Sequence, residues 1–168
     1  IRLDIGASSR EEAAALVRVG DPSVPVGPPV ELAGGRLVSA AVDDRTALYA
    51  ALEALRRLAA HPPAWDVALV ASTQEEGDAR GGARAAVERL RPDVAVVAEV
   101  TYATNETGHD PVEWGAHDLG DGAVVFCGPV VSPLVSEGLL RVAAAVGIPH
   151  CRETGRATWS DADEIFAA

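Results

Sequence analysis

Two five-residue runs built only from small or branched apolar residues, Val67 to Ala71 and Val94 to Ala98, constrain this chain most strongly. A run with no polar alternation fits a strand buried on both faces, as in a parallel sheet covered by helices. Around these runs the period changes. Leu48, Ala51, Leu52, Leu55 and Leu58 recur at helical spacing, so residues 46–60 read as an amphipathic helix stopped by His61, Pro62 and Pro63. Residues 82–90 read as a second helix, ended before Pro92. Ala123 to Phe126 is a weaker third strand, and residues 134–146 form a helix with Gly147 at its end and Pro149 beyond. Strands alternating with helices at this spacing predict βαβ units: an α/β fold whose mostly parallel sheet is flanked by helices.

Residues 1–40 have a different texture. Ser9 to Glu12 is a capping-box pattern opening a short helix through Val17, and Gly20 to Pro22 makes a turn. Val30 to Leu32 and Arg36 to Ser39, separated by Ala33, Gly34 and Gly35, read as a β-hairpin. Dense proline and glycine punctuation suits part of a small barrel-like second domain over residues 1–40. Residues 41–168 then form the α/β domain. A length of 168 residues has room for one domain plus part of another. The chain starts at Ile1, and Ile165 to Ala168 read as the inside of a helix. The expectation is an internal piece of a longer polypeptide, with the α/β domain incomplete at its C-terminal end.

Charge narrows the partners. Acids outnumber bases by 25 to 14, for a net charge of −11, which disfavours nucleic acid and anionic membranes because phosphate binding needs clustered Lys and Arg. No stretch is long enough to span a bilayer, and the N-terminal residues lack the pattern of a signal peptide. The two cysteines, Cys127 and Cys151, have no CxxC spacing. They are expected to be buried, reduced thiols, which points to the cytoplasm.

Acidic residues stand at the ends of the apolar segments. Asp43 and Asp44 precede the first long helix, Glu75 and Glu76 follow the first apolar run, and Glu99 ends the second. Open α/β sheets place ligands at the carboxyl ends of their strands. Two adjacent carboxylates there repel each other and are costly to desolvate, so a cation belongs at such a spot. Each piece also has a plainer role: an Asp pair before a helix caps it, and a Glu pair at a strand end solvates a loop.

Five stretches together resemble one family, the co-catalytic metallo-aminopeptidases of the glutamyl and deblocking type, some of whose members have been labelled endoglucanases. They are Leu3 to Ala7 with Glu11, Glu12 and Val19 to Pro22; Ala41 to Arg45, similar to an Asp-Asp-Arg signature; Thr73 to Glu76 with Arg80 and Gly81; Glu99 to Thr101 with Ala103; and Ser160 to Ala162. The resemblance implies a zinc-aminopeptidase-like fold and two divalent metal ions, zinc or cobalt. By resemblance Asp43 bridges the two ions, with its peptide bond to Asp44 cis, while Glu76 binds one ion and Glu99 the other. Glu75 is then the general base for a water activated between the metals, which attacks the first peptide carbonyl of a peptide held by its free amino terminus. The same resemblance implies a homo-oligomer assembled through the second domain.

The departures from the family pattern are specific. Glu99 stands where Asp is usual, Gly77 and Asp78 reverse the usual placement of a glycine, Gly82 stands for Ala and Asn105 for a frequent Asp. The family also uses two histidine ligands, one from a His-x-Asp segment expected upstream of Ile1 and one expected beyond Ala168. None of His61, His109, His117 and His150 matches a family ligand. With three of five ligands present, the chain alone should bind metal loosely and hydrolyse weakly or not at all. Two other readings stay open: a metal-dependent amidohydrolase acting on N-acyl amino acids or small amides, and a non-catalytic homologue serving as an assembly or binding module.

Overall fold

Asp43 marks a division in the computed structural model, which describes residues 2–77, 81–154 and 159–168. The chain separates there into two compact units, Ile1–Val42 and Asp43–Ala168. Asp78 and Arg80, both quoted around the glutamate pair, lie outside the described residues.

In the first unit Ser9 caps helix α1 (Arg10–Leu16), its hydroxyl accepting from the Glu12 amide at 3.1 Å. The Glu12 carboxylate reaches back one residue further than a standard capping box, to the Ser8 amide at 2.8 Å. Strands β1 (Val30–Leu32) and β2 (Arg36–Val38) pair antiparallel with Val30 opposite Val38. A 3-10 turn at Ala33–Gly35 joins them, so the hairpin lies where the glycine pair predicts it.

The second unit carries the acidic residues. Helix α2 (Val42–Ala60) has non-helical backbone at Asp43 and Asp44, and its helical stripe of Leu48, Ala51, Leu55 and Leu58 is half-buried. The His61 amide bonds back to Arg57 and Leu58, closing the helix where the two prolines forbid its continuation. Helix α3 (Gly82–Leu90) ends as predicted, with Arg91 taking a left-handed conformation (φ 47°) before Pro92. A short helix α4 (Pro111–Trp114) follows, capped by Asp110.

The parallel pairing occurs at the C-terminal side of this unit. Strand β3 (Ala123–Phe126) leads into helix α5 (Pro133–Ala145), which returns to strand β4 (His150–Glu153). The two strands are parallel, with Ala123 opposite His150 and Phe126 opposite Glu153, and α5 packs on both. Helix α6 (Asp161–Phe166) begins with a complete capping box between Ser160 and Asp163 and packs against α3. The buried apolar side chains among the described residues are Ala47, Ala83 and Leu140.

The architecture is thus α/β, but the two apolar runs behave differently from the expectation. Residues 67–74 and 94–100 lie outside the assigned strands, and Val67, Val70, Val94 and Val96 are exposed. The reason is physical. An all-apolar run encodes burial on both faces, yet says nothing about which neighbour supplies the ladder hydrogen bonds. The cysteines also differ: Cys127 and Cys151 are free thiols, but half-buried.

Candidate active site

The Asp43–Asp44 peptide bond is cis. Of this pair, Asp44 is the helix cap: its carboxylate accepts from the Ala47 amide at 2.9 Å. Asp44 is half-buried and Asp43 exposed, so capping occupies one acid and leaves the other available.

Glu75 and Glu76 sit on a turn that follows the first apolar run. Gln74 enters that turn at φ 65°, a left-handed conformation uncommon for a residue with a side chain. The segment is held from α3, where the Gly82 amide donates to the Thr73 carbonyl at 2.8 Å. A Cβ on Gly82 would lie 2.8 Å from the Thr73 backbone nitrogen, too close for two non-bonded atoms. This gives the departure from Ala at position 82 a local reason: only glycine lets these backbones approach so closely.

Electrostatics show which acids share a neighbourhood. Burial and the charges of Glu76, Asp161, Asp43 and Asp44 push the Glu75 carboxyl above the usual carboxylate range. Glu99 is pushed up to about 7, first by desolvation, then by a hydrogen bond and repulsion from Asp44 and by the charge of Glu75. A hydrogen bond from its own Val100 amide, at 3.0 Å, opposes that rise. Glu99 as a whole residue is exposed. Two carboxyls can hydrogen-bond only if one of them keeps a proton.

Glu75 thus lies within electrostatic reach of Glu76, Asp43, Asp44 and Asp161, and Glu99 within reach of Asp44 and Glu75, an acidic neighbourhood drawn from separate stretches of sequence. Among the described residues, no group of three or more His, Cys, Asp or Glu side chains is disposed to hold a metal ion. The donors fit a hard divalent cation in kind, being carboxylates whose mutual repulsion a cation would relieve. No histidine is among the groups that shift Glu75 or Glu99. His117 is instead buried, with Thr104 bonded to both its amide and its carbonyl and Glu153 at 3.8 Å from its ring. His109 stacks on Tyr102, and His61 is exposed.

One acid of this neighbourhood carried no role in the sequence reading. Asp161, the first residue of α6, accepts a hydrogen bond from the Ser72 hydroxyl through Oδ2, while its Oδ1 is buried without a hydrogen-bond partner. A small cavity of about 10 Å3, partly open to solvent, lies beside it, lined by Gln74, Glu75, Gly81, Trp159, Asp161 and Glu164. The capping-box spacing of Ser160 and Asp163 was a signal that a helix begins there; nothing local pointed to Ser72, which is 89 residues away.

The sequence profile of a family described as M42 glutamyl aminopeptidase matches residues 1–168. A lysyl aminopeptidase from Pyrococcus furiosus is 34% identical over 165 residues, which cover 97% of this chain and 46% of that protein. Among solved structures, an aminopeptidase from the archaeon Desulfurococcus kamchatkensis superposes with a TM-score of 0.82 at 34% identity, covering 96% of this chain and 46% of that one. A TET aminopeptidase from a marine-sediment Thaumarchaeota archaeon does so with a TM-score of 0.75 at 29% identity, with the same coverages. The chain spans about half the length of the relatives it matches.

Proposed function

The chain belongs to the M42 glutamyl aminopeptidase family, and from that premise we propose that it is part of a metal-dependent aminopeptidase that hydrolyses the first peptide bond of peptides. The observation that carries the reading is the acidic neighbourhood. Carboxylates from the start of α2 and from the ends of two apolar runs stand close enough to raise the proton affinity of Glu75 and Glu99. Such mutual repulsion is an arrangement that a bound cation stabilises.

In this reading Asp43, Glu76 and Glu99 would hold two divalent ions, zinc or cobalt. When bound, such ions polarise a carbonyl and make water acidic near neutral pH. Glu75, next to Glu76 on the same turn, is the general base that takes a proton from the attacking water and passes it to the leaving amine. Asp44 fixes the backbone of Asp43 through its cap to Ala47. The surrounding negative charge attracts the cationic amino terminus of a peptide. The apolar runs 67–71 and 94–98 serve as strands of a mostly parallel sheet. Residues 1–40 serve as part of a barrel-like second domain through which copies of the protein assemble. No helix among the described residues is long and apolar enough to cross a membrane, and we place the protein in the cytoplasm.

The test uses the full-length protein with aminoacyl-p-nitroanilides as substrates. Glu75→Gln should lower kcat by at least about 100-fold, the scale of a lost general base, while metal content stays that of the parent. A Glu75→Gln enzyme that keeps its activity would remove Glu75 from the role of base. Cleavage of N-acylated but not of free-amine substrates would favour the amidohydrolase instead. No turnover with any divalent metal would leave a binding module.

A further inference from the structure

We propose that Asp161 is a positioning residue for Glu75, clamping the segment that carries it through the hydroxyl of Ser72. The inference rests on the aminopeptidase reading for its kinetic consequence, but the clamp itself does not.

Three observations converge on it. Glu75 lies three residues beyond Ser72, on a segment that lies outside the assigned strands and so takes its placement from few backbone bonds. Among the described residues, its restraints include the Gly82 amide on the Thr73 carbonyl, at 2.8 Å, and the Ser72 hydroxyl on Asp161 Oδ2. These two anchors are connected, because α3, which starts at Gly82, packs on α6, which starts at Asp161. Second, Asp161 is itself fixed. It follows Ser160, whose hydroxyl accepts from the Ala162 amide at 3.2 Å, and the Ser160 amide is held by Asp163 at 3.0 Å. Third, Asp161 and Glu75 line the same cavity, and the Asp161 charge is among those acting on the Glu75 carboxyl. The clamp therefore sets where the Glu75 turn sits.

Supports of this kind act on the reacting geometry more than on affinity, and a small displacement of a catalytic group costs rate steeply. In the full-length metal-loaded enzyme, Ser72→Ala and Asp161→Ala should each lower kcat about 10- to 100-fold with KM nearly unchanged and metal content retained. Ser72→Thr, which keeps the hydroxyl, and Asp161→Asn, which keeps an acceptor, should recover most of that loss. The double variant Ser72→Ala with Asp161→Ala should be no slower than the worse single variant, as expected of two ends of one bond.

A second readout does not depend on activity. Backbone amide exchange in residues 73–77 should accelerate by the same factor in both alanine variants, and not further in the double variant. The proposal is overturned if the two effects multiply in the double variant, if Ser72→Thr behaves like Ser72→Ala, or if exchange in residues 73–77 is unchanged. If Asp161→Ala does not fold, Ser72→Ala and Ser72→Thr carry both measurements. A parent protein with no peptidase activity overturns the aminopeptidase reading, while the exchange experiment still decides the clamp.

Discussion

A carboxyl that prefers its proton makes the folded chain pH-dependent in a definite direction. Burial and Asp44 raise Glu99 from an ordinary 4.5 to about 7. An acid whose folded value lies above its unfolded value binds more protons in the native state between those two values. Stability therefore falls as pH rises through that window. Below about 4.5 both states are protonated and the contribution is intact; above about 7 both are ionised and the folded state bears the full repulsion. Without added metal, the Tm of the parent should drop between pH 5 and 8 more than that of Glu99→Gln, which cannot ionise. Adding zinc at pH 8 should restore more Tm to the parent than to the variant. Equal pH slopes in the two proteins would show that Glu99 is not the titrating group. At this scale much of the acidic neighbourhood was legible. Asp43, Asp44, Glu75, Glu76 and Glu99 follow or precede apolar segments, and that placement singled them out, while the roles divided among them came only with the family resemblance. Asp161 was not legible, because its significance lies in a bond to Ser72, and no local pattern encodes a partner 89 residues away. Nor did sequence divide the aspartate pair. Capping was the plain alternative for the pair as a whole, and the structure gives it to Asp44.

Element by element, local chemistry was read best where it acts through a terminus. Helix α3 has the predicted bounds, because Gly81 and Gly82 open it and Pro92 forbids its extension. The hairpin of β1 and β2 follows from its glycine pair, and β3 from its apolar run. Strand β4 was missed. Its residues His150, Cys151, Arg152 and Glu153 lack an apolar signature, and what makes it a strand is the edge of β3 beside it. The same dependence on a neighbour left the two apolar runs without assigned partners. The junction before β3 tests how tightly this βαβ unit is built. Gly122 has φ 111°, and a Cβ there would stand 2.1 Å from the Pro149 carbonyl oxygen, which accepts from the Ala123 amide at 3.0 Å. Gly122→Ala should cost about 2–4 kcal/mol, from backbone strain and overpacking together. The same change at Gly138, inside α5 with nothing within 4 Å of the new methyl, should instead stabilise by up to about 1 kcal/mol. Urea denaturation of the two variants should move the midpoint in opposite directions. A neutral Gly122→Ala would mean that the β3–β4 junction yields easily.

Taken as a whole, the molecule is uneven in how much of it can stand alone. Unit Asp43–Ala168 contains every buried residue among those described, whereas none of the described residues in Ile1–Val42 is buried. Val19, Val24 and Val26 of that first unit are exposed by 109%, 80% and 97%. A seven-residue helix and two three-residue strands with no buried side chain cannot offset the conformational entropy of ordering them, about 1–2 kcal/mol per residue for the backbone alone. A lone two-stranded hairpin is marginal in water for the same reason. Residues 1–42 produced alone should therefore give a circular dichroism spectrum of a largely unfolded chain, with no cooperative thermal transition. The full-length protein should show the opposite, with these residues protected from amide exchange. The proposed assembly makes one more demand. If exposed valines of the first unit are covered by other copies, replacing Val24 and Val26 with Asp should shift the full-length protein to a smaller species by light scattering. The stability of the α/β unit should be unaffected. Unchanged mass with intact folding would place the assembly surface elsewhere, and a cooperative transition in residues 1–42 alone would show that their order does not depend on being covered.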